Sequence, residues 1–148
     1  MKRAAAKRAT TARGEKEAML LRLIGLAKAA RQNAYAPYSR YAVGAAIECA
    51  SGAVFAGCNV ENATYGATLC AERNAIAQMV AAGERDPIGC AVVTGGKRLG
   101  SPCGICRQVL FEFTDDMPIA LVGLGRARVS RRDTTLATLL PLAFRLEK

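Results

Sequence analysis

Two short stretches, LCAERNAI at residues 69–76 and SPCGICRQ at residues 101–108, decide how the rest of the chain is interpreted. The first places Cys70 two residues before Glu72, and the second places Cys103 and Cys106 at C-x-x-C spacing. Both stretches lie where a helix is predicted to begin, and helix N-termini stabilise thiolates through free N–H groups and the helix dipole. Two such helix starts brought together would gather three thiolates around one carboxylate.

Working outward, the apolar residues alternate between helical and strand spacing. Thr68 is predicted to cap the second helix, and Ser101 and Pro102 to open the third. The predicted helices cover about 16–32, 69–82, 103–113 and 134–140. Two strands are predicted within 41–61, on either side of a turn at Ser51–Gly52. Three more strands are predicted at 88–95, 118–125 and 127–130. This alternation predicts an α/β layered domain with a partly parallel sheet.

The charge is uneven along a chain whose 148 residues suit one domain. The net charge is +9, and residues 1–13 hold five basic residues and no acidic one. We predict a basic, disordered tail over 1–15 and one folded domain over 16–148, since the tail has no aromatic residue for stacking on bases. The tail also resembles an organelle transit peptide, an interpretation that we rank second to the disordered tail.

The hydropathy and the cysteines indicate the compartment. We find no uncharged apolar run of about 18 residues, so no transmembrane helix and no membrane partner are expected. Arg22 interrupts the apolar stretch 18–27, which argues against a signal peptide. The six cysteines are therefore expected to stay reduced, in the cytoplasm.

Reduced thiols at this spacing indicate zinc. Three protein ligands, Cys70, Cys103 and Cys106, would leave the fourth tetrahedral position open, as in catalytic rather than structural sites. Glu72 lies close enough in sequence to act on a water there as a general base. Three thiolates overcompensate one Zn²⁺, and we assign Arg73 the role of returning positive charge to them.

Other functions use parts of the same pattern. Cys103 and Cys106 alone could form a thiol redox pair. A closed structural zinc site in a binding module would take its fourth thiol from Cys49, Cys58 or Cys90, none of which has a close C-x-x-C partner. The combination C-A-E followed by P-C-x-x-C is more specific than any of its parts.

The combination resembles the zinc nucleobase deaminases in their three-cysteine form. More closely, the chain after about residue 17 resembles the small homotetrameric cytidine deaminases that act on free nucleosides. The blocks that carry the resemblance are YAPYSRYAVGAA, GCNVENATYG, CAERNAI, SPCGICRQVL and LLPLAF. The resemblance implies a three-layer α/β/α fold with a mixed sheet of about five strands, one Zn²⁺ per subunit, a homotetramer, and hydrolysis of cytidine and deoxycytidine to uridine and deoxyuridine with release of ammonia in pyrimidine salvage.

The resemblance also implies roles for individual residues. Glu72 would pass protons to the base and the leaving amine, and Asn59 and Glu61 would bind the ribose hydroxyls. Tyr41 stands where the family often has phenylalanine near the pyrimidine. Contacts with substrate are further implied for Ala71 and the carbonyl of Pro102, and contacts with a neighbouring subunit's site for Tyr65 and Phe144.

Two rival deaminases remain within the same superfamily. One acts on a modified nucleoside, such as an antibiotic of the blasticidin type, and the Asn59–Glu61 pair argues for an ordinary ribose instead. The other edits nucleic acid. The folded part lacks a basic, aromatic-rich track for a strand, so nucleic acid is not an expected partner.

Overall fold

The computed structural model describes residues 2–96 and 99–146, and the side chains of residues 2–10 lie outside this description. The helices are α1 Lys2–Arg31, α2 Ala71–Ala81, α3 Gly104–Phe111 and α4 Leu136–Leu139, with a 3-10 turn at Tyr65–Ala67. The strands are β1 Val43–Cys49, β2 Val54–Cys58, β3 Pro87–Gly95, β4 Pro118–Leu124 and β5 Val129–Thr135.

The five strands form one mixed sheet in the order β2-β1-β3-β4-β5. Only β3 and β4 run parallel, and the other three pairs are antiparallel. The predicted α/β class with a partly parallel sheet is therefore confirmed.

The two faces of the sheet carry two apolar cores, which makes the domain three layers thick. Helix α1 packs Leu20, Leu23 and Ala27 on one face, against alternate residues of β1, β3 and β4. Helices α2, α3 and α4 cover the other face, where a larger core includes Ile47, Met79 and other buried residues. Successive side chains of a strand point to opposite faces, so one sequence run serves both cores.

Most predicted elements are found, but several ends differ. Cys70 and Cys103, rather than Thr68 and Ser101, are the N-caps of α2 and α3. The hydroxyl of Thr68 instead accepts a hydrogen bond from the Asn62 N–H at 3.1 Å. Local hydrogen bonds of this kind compete with capping.

The N-terminal helix and the last strand are longer than predicted. Helix α1 begins at Lys2 rather than near residue 16, and the division into a tail 1–15 and a domain 16–148 stays a prediction. Strand β5 covers residues 129–135 instead of 127–130, because its polar residues lie on an exposed edge and pair along β4. None of the helices in the described residues is long and apolar enough to cross a bilayer.

Candidate active site

The starts of α2 and α3 meet and bring three thiols together. Cys70 and Cys103 are the N-caps of these helices, and Cys106 lies in the first turn of α3. The Cys70 and Cys103 sulfurs are 3.8 Å apart, the Cys103 and Cys106 sulfurs 3.4 Å apart, and all three lie within 4.8 Å of one another. A tetrahedral ion with zinc–sulfur bonds of about 2.3 Å would separate its thiolates by about 3.8 Å. The cluster therefore fits one Zn²⁺.

The remaining cysteines do not join this cluster. All six cysteines are free thiols. Cys49 and Cys90 are buried in the core between the sheet and α2, where burial raises the pKa of the Cys90 thiol. Among the described residues, the group able to hold a metal consists of Cys70, Cys103 and Cys106 alone. The structure thus gives no fourth thiol for a closed structural site.

The thiols share negative charge. The pKa of Cys70 is lowered to about 5, chiefly because it accepts a hydrogen bond from the Cys106 thiol, with Cys103 and Arg73 adding to the effect. The same interaction raises the pKa of Cys106, because the hydrogen bond to Cys70, and then burial, favour its protonated form. A cluster that keeps a thiolate near neutral pH attracts a cation, and thiolates are the form that binds zinc.

Glu72 is a buried carboxylate beside the thiols. It lies in the first turn of α2, and its Oε2 is 3.6 Å from the Cys106 sulfur. Burial raises its pKa above the ordinary value, and the nearby Cys70 thiolate adds to the rise. A carboxylate shifted in this direction is suited both to accept and to return a proton.

Arg73 connects the thiols to the turn before α2. One of its terminal nitrogens donates to the Thr68 carbonyl at 2.6 Å, and its positive charge helps to lower the pKa of Cys70. Its Nε is buried and has no partner among the described residues. A buried guanidinium nitrogen without an acceptor is costly unless nearby negative charge compensates it. The thiolate cluster supplies that charge.

The position of α2 is set by its close packing on β2. A Cβ on Gly57 would lie 2.7 Å from both the Ala71 carbonyl oxygen and the Ala75 nitrogen, so only glycine allows this approach. Side-chain amides then hold the helix in place, because Asn74 donates to the Cys58 carbonyl at 2.7 Å and Gln78 to the Ala56 carbonyl at 2.8 Å. Helix α2 in turn carries the first thiol and the carboxylate.

A cavity of about 240 Å³ opens beside the cluster. Of the predicted site residues, those that line it are Tyr41, Asn59, Glu61, Cys70, Ala71, Glu72 and Cys103. Its other lining residues are Ser39, Val43, Thr68, Leu69, Val92, Thr94, Gly100 and Ser101. The volume and the mixture of apolar walls and a few polar groups are those of a site for a small molecule.

Asn59 and Glu61 hold the loop that walls this cavity. The buried Asn59 amide donates to the Tyr41 carbonyl at 2.9 Å and accepts from the Val43 N–H at 2.8 Å. Glu61 accepts from the backbone N–H groups of Tyr38 and Ser39 and from the Ser39 hydroxyl. The hydroxyl contact is the main reason that the pKa of Glu61 is lowered. Both side chains keep unused hydrogen-bonding capacity, since an amide has two N–H groups and a carboxylate about four acceptor positions.

Five predicted residues lie outside the cavity lining: Cys106 and Arg73, described above with the thiols, and Pro102, Tyr65 and Phe144. Pro102 is buried, and its carbonyl accepts a hydrogen bond from Arg107 Nε at 2.8 Å. Tyr65 and Phe144 are 85% and 67% exposed on the surface of the single chain. The Phe144 carbonyl accepts from the Gln108 side chain at 2.6 Å, which ties the C-terminal segment to α3.

Sequence reasoning missed Ser39, Thr94 and Arg107 at this site. Thr94 is buried, lines the cavity, and its hydroxyl accepts from the Gly100 N–H at 3.2 Å. The sequence signals were present but weak: a serine in a turn, and a threonine ending an apolar strand. The arginine directly after the last thiol, in GICRQ, was the stronger signal.

Comparison with known proteins finds a family match across this region. Residues 18–121 match the cytidine and deoxycytidylate deaminase zinc-binding region, and this range includes all three thiols and Glu72. The cytidine deaminase of Sporosarcina psychrophila is 44% identical over 127 residues, which cover 85% of this chain and 91% of that protein.

Solved structures give the same result. The cytidine deaminase of Burkholderia pseudomallei superposes with a TM-score of 0.75 at 46% identity, covering 82% of this chain and 96% of that one. For the cytidine deaminase of Mycobacterium tuberculosis the TM-score is 0.68 at 42% identity, covering 84% of this chain and 95% of that one. The solved structures and the sequence relatives therefore indicate the same family.

Proposed function

Because the chain belongs to the cytidine and deoxycytidylate deaminase family, we propose that it hydrolyses cytidine and deoxycytidine to uridine and deoxyuridine with release of ammonia, as a step of pyrimidine salvage. The observation that carries the proposal is the thiol cluster beside the buried carboxylate of Glu72, which borders a cavity of nucleoside size. A redox pair would use Cys103 and Cys106 alone and would leave the third thiol of the cluster, Cys70, without a role.

Cys70, Cys103 and Cys106 would hold one Zn²⁺ per chain. Bound there, zinc supplies Lewis acidity, which brings the pKa of a water toward about 7. Arg73 stays next to the thiols and offsets part of their negative charge, which three thiolates leave in excess of one Zn²⁺.

Glu72 moves the protons. Its Oε2 takes a proton from the attacking water and delivers it to N3 of the cytosine ring, as oxygen bonds to C4. It then takes the proton of the hydroxyl on the tetrahedral C4 and passes it to the exocyclic nitrogen as the C4–N4 bond breaks and the C4 carbonyl forms, so that water and cytidine give uridine and ammonia. Burial beside the thiols keeps bulk water away from this carboxylate.

The cavity walls would hold the nucleoside. The second N–H of Asn59 and the remaining acceptor positions of Glu61 would meet the ribose hydroxyls. Tyr41 would face the pyrimidine ring, and Ala71 would contact its edge from the start of α2. The Pro102 carbonyl, which has a second lone pair besides the one used by Arg107, would accept from the amino group.

The active unit would be a homotetramer in which Tyr65 and Phe144 complete neighbouring sites. Support comes from the apolar side chains that the single chain leaves exposed near α3 and at the C-terminus. They include Ile105 at 62% exposure, Leu142 at 95% and Phe144 at 67%. The six free thiols support a reducing compartment, the cytoplasm. We also propose that residues 1–15 act as a tail separate from a catalytic domain over 16–148.

The test follows cytidine deamination by ultraviolet absorbance and ammonia release, with zinc measured in the same preparation. The protein should contain one zinc per chain and lose activity on chelation. Glu72→Gln should keep its zinc and its Tm but lose about 10²–10⁴-fold in kcat, because an amide cannot take the proton. Glu15→Gln, on the exposed part of α1, is the matched control and should be fully active.

Different failures would identify different rivals. Stoichiometric zinc without ammonia release from cytidine would indicate a binding module or a deaminase for a modified nucleoside. A preparation without zinc would indicate a redox pair. A fully active Glu72→Gln enzyme would remove Glu72 from the mechanism.

A further inference from the structure

The net charge of the protein is confined to two short segments. Residues 1–13 carry five basic and no acidic residues, and residues 125–132, GRARVSRR, carry four arginines and no acidic residue. Of the 21 basic residues twelve therefore lie elsewhere, and they are balanced by all 12 acidic ones. The two segments account for the whole net charge of +9.

The charged side chains of residues 11–13 and 125–132, the parts of both segments whose side chains the structure describes, lie at the surface. Every side chain from Thr11 to Ala18 on α1 is exposed, and burial begins only at Met19 and Leu20. The second segment is the turn between β4 and β5 with the start of β5, which is an edge strand. Arg126, Arg128 and Arg132 are exposed there, and none forms an ion pair within the described residues.

An ion-pair junction joins the part of α1 just after the first segment to the second segment. Arg131 donates two hydrogen bonds to Glu17 of α1, at 2.7 and 2.8 Å, and two to Asp133 of its own strand, both at 2.8 Å. Two carboxylates thus occupy its guanidinium, and the bidentate geometry fixes α1 to the edge of the sheet. Glu17 lies four residues after Arg13, about one helical turn, so the first segment leads away from the junction at which the arginines of β5 lie.

We propose that these two segments form a docking surface for duplex nucleic acid, bound through its phosphates without sequence preference. Apart from Arg131, whose guanidinium is occupied by two carboxylates, six of the eight basic residues are arginines, the side chain best matched to phosphate geometry. Neither segment has an aromatic residue, which argues against stacking on single-stranded bases. Residues 2–18 offer alanine as their only apolar side chain, whereas helices that lie on membranes need bulky apolar residues.

This surface goes beyond the proposed deamination and is separate from it. Among the residues that the structure describes, none of those that line the nucleoside cavity belongs to either segment. Nucleic acid is not an expected partner from the sequence, because neither the tail nor the folded part offers aromatic residues for stacking on a single strand. A duplex bound through its phosphates needs no such residues, and the structure adds the exposure of the second segment and its junction with α1.

The test measures binding of a fluorescein-labelled 20-base-pair DNA duplex by anisotropy over a range of salt. Each phosphate contact adds about 0.9 to the steepness of log K against log salt. Arg126→Gln with Arg128→Gln should lower the steepness by up to about 1.8, and replacing the five basic residues of 1–13 by glutamine by up to about 4.5. The control, Lys28→Gln with Arg85→Gln, removes the same charge from exposed positions outside both segments and should change neither the slope nor the affinity.

Three results would overturn the proposal. They are absence of duplex binding at low salt, an equal loss of slope in the control pair, and phosphatidylglycerol vesicles that hold the protein at salt concentrations where the duplex is released. The Tm of each variant shows that it is folded. Binding is read without substrate, so failure here leaves the proposed deamination standing, and failure of deamination leaves this surface standing.

Discussion

Replacing Gly57 by alanine should show how the catalytic helix is positioned. The added Cβ would lie 2.7 Å from the Ala71 oxygen and the Ala75 nitrogen, where ordinary contact begins at 3.4 Å. Helix α2 must therefore recede by roughly 0.7 Å, because both atoms belong to the backbone and neither can rotate away. Inserting a methyl group into packing this close costs typically about 1–3 kcal/mol.

The shift should be visible in both stability and catalysis. A domain of about 150 residues loses about 2–4 °C in Tm per kcal/mol, so we expect a Tm lower by roughly 2–12 °C. Because α2 carries Cys70 and Glu72, and a misplacement of about 1 Å can cost about 10²-fold, kcat/KM per bound zinc should fall by about one to two orders of magnitude.

Gly25→Ala is the matched control for the same chemical change. Gly25 lies on an exposed turn of α1 with nothing within 4 Å of its added Cβ. Glycine in a helix costs about 0.5–1 kcal/mol relative to alanine, so this variant should gain stability and keep its activity. If Gly57→Ala instead melts with the parent protein and turns over cytidine at the same rate, close packing on β2 does not position the site.

Three further predictions address the thiols, the subunit boundary and the junction on α1. Arg73→Ala should lower kcat/KM by about 10–100-fold, and unchanged kinetics with full zinc content would make Arg73 a residue of the helix only. Phe144→Ala should raise KM for cytidine without loss of zinc. Mixing Phe144→Ala chains with Glu72→Gln chains should restore part of the activity. An active monomer in light scattering would contradict a site shared between subunits. Arg131 is the main cause of the lowered pKa of Glu17. The ion pair therefore stabilises the fold at pH values above 4.5, the ordinary pKa, and this stabilisation is lost as the pH falls through the lowered pKa. In an NMR titration, Arg131→Gln should return the Glu17 pKa toward 4.5.

The chemistry of the site could be predicted from sequence because its signals are local. Cys103 and Cys106 are three residues apart at a helix start, so one turn of α3 determines their separation. Cys70 and Glu72 are linked in the same way by the start of α2. Local spacing does not predict that the two helix starts meet. That expectation came from the family resemblance.

Features that depend on distant partners were not predictable. Strand β5 is polar along most of its length and is a strand because β4 pairs with it, so an apolar pattern could not reveal it. Gly57 is a glycine because α2 crosses it, which no neighbour in sequence indicates. The polar contacts of Asn59 and Glu61 likewise depend on a loop about twenty residues away.

Arg107 and Gln108, which follow Cys106, connect the site to α4 and to the C-terminal segment. Arg107 donates to the Pro102 carbonyl at 2.8 Å and to the Leu139 carbonyl at 2.8 Å, which joins the loop before Cys103 to the end of α4. Gln108 donates to the Phe144 carbonyl, a backbone group that any residue at position 144 would retain. Removing the Phe144 ring therefore leaves the support of the thiols intact, whereas loss of the Gln108 amide would remove one of the contacts that hold the segment, beside those of Arg145 with Phe111 and Asp115. This separation is why zinc content and KM can distinguish a ring that completes a neighbour's site from one that only packs against its own chain.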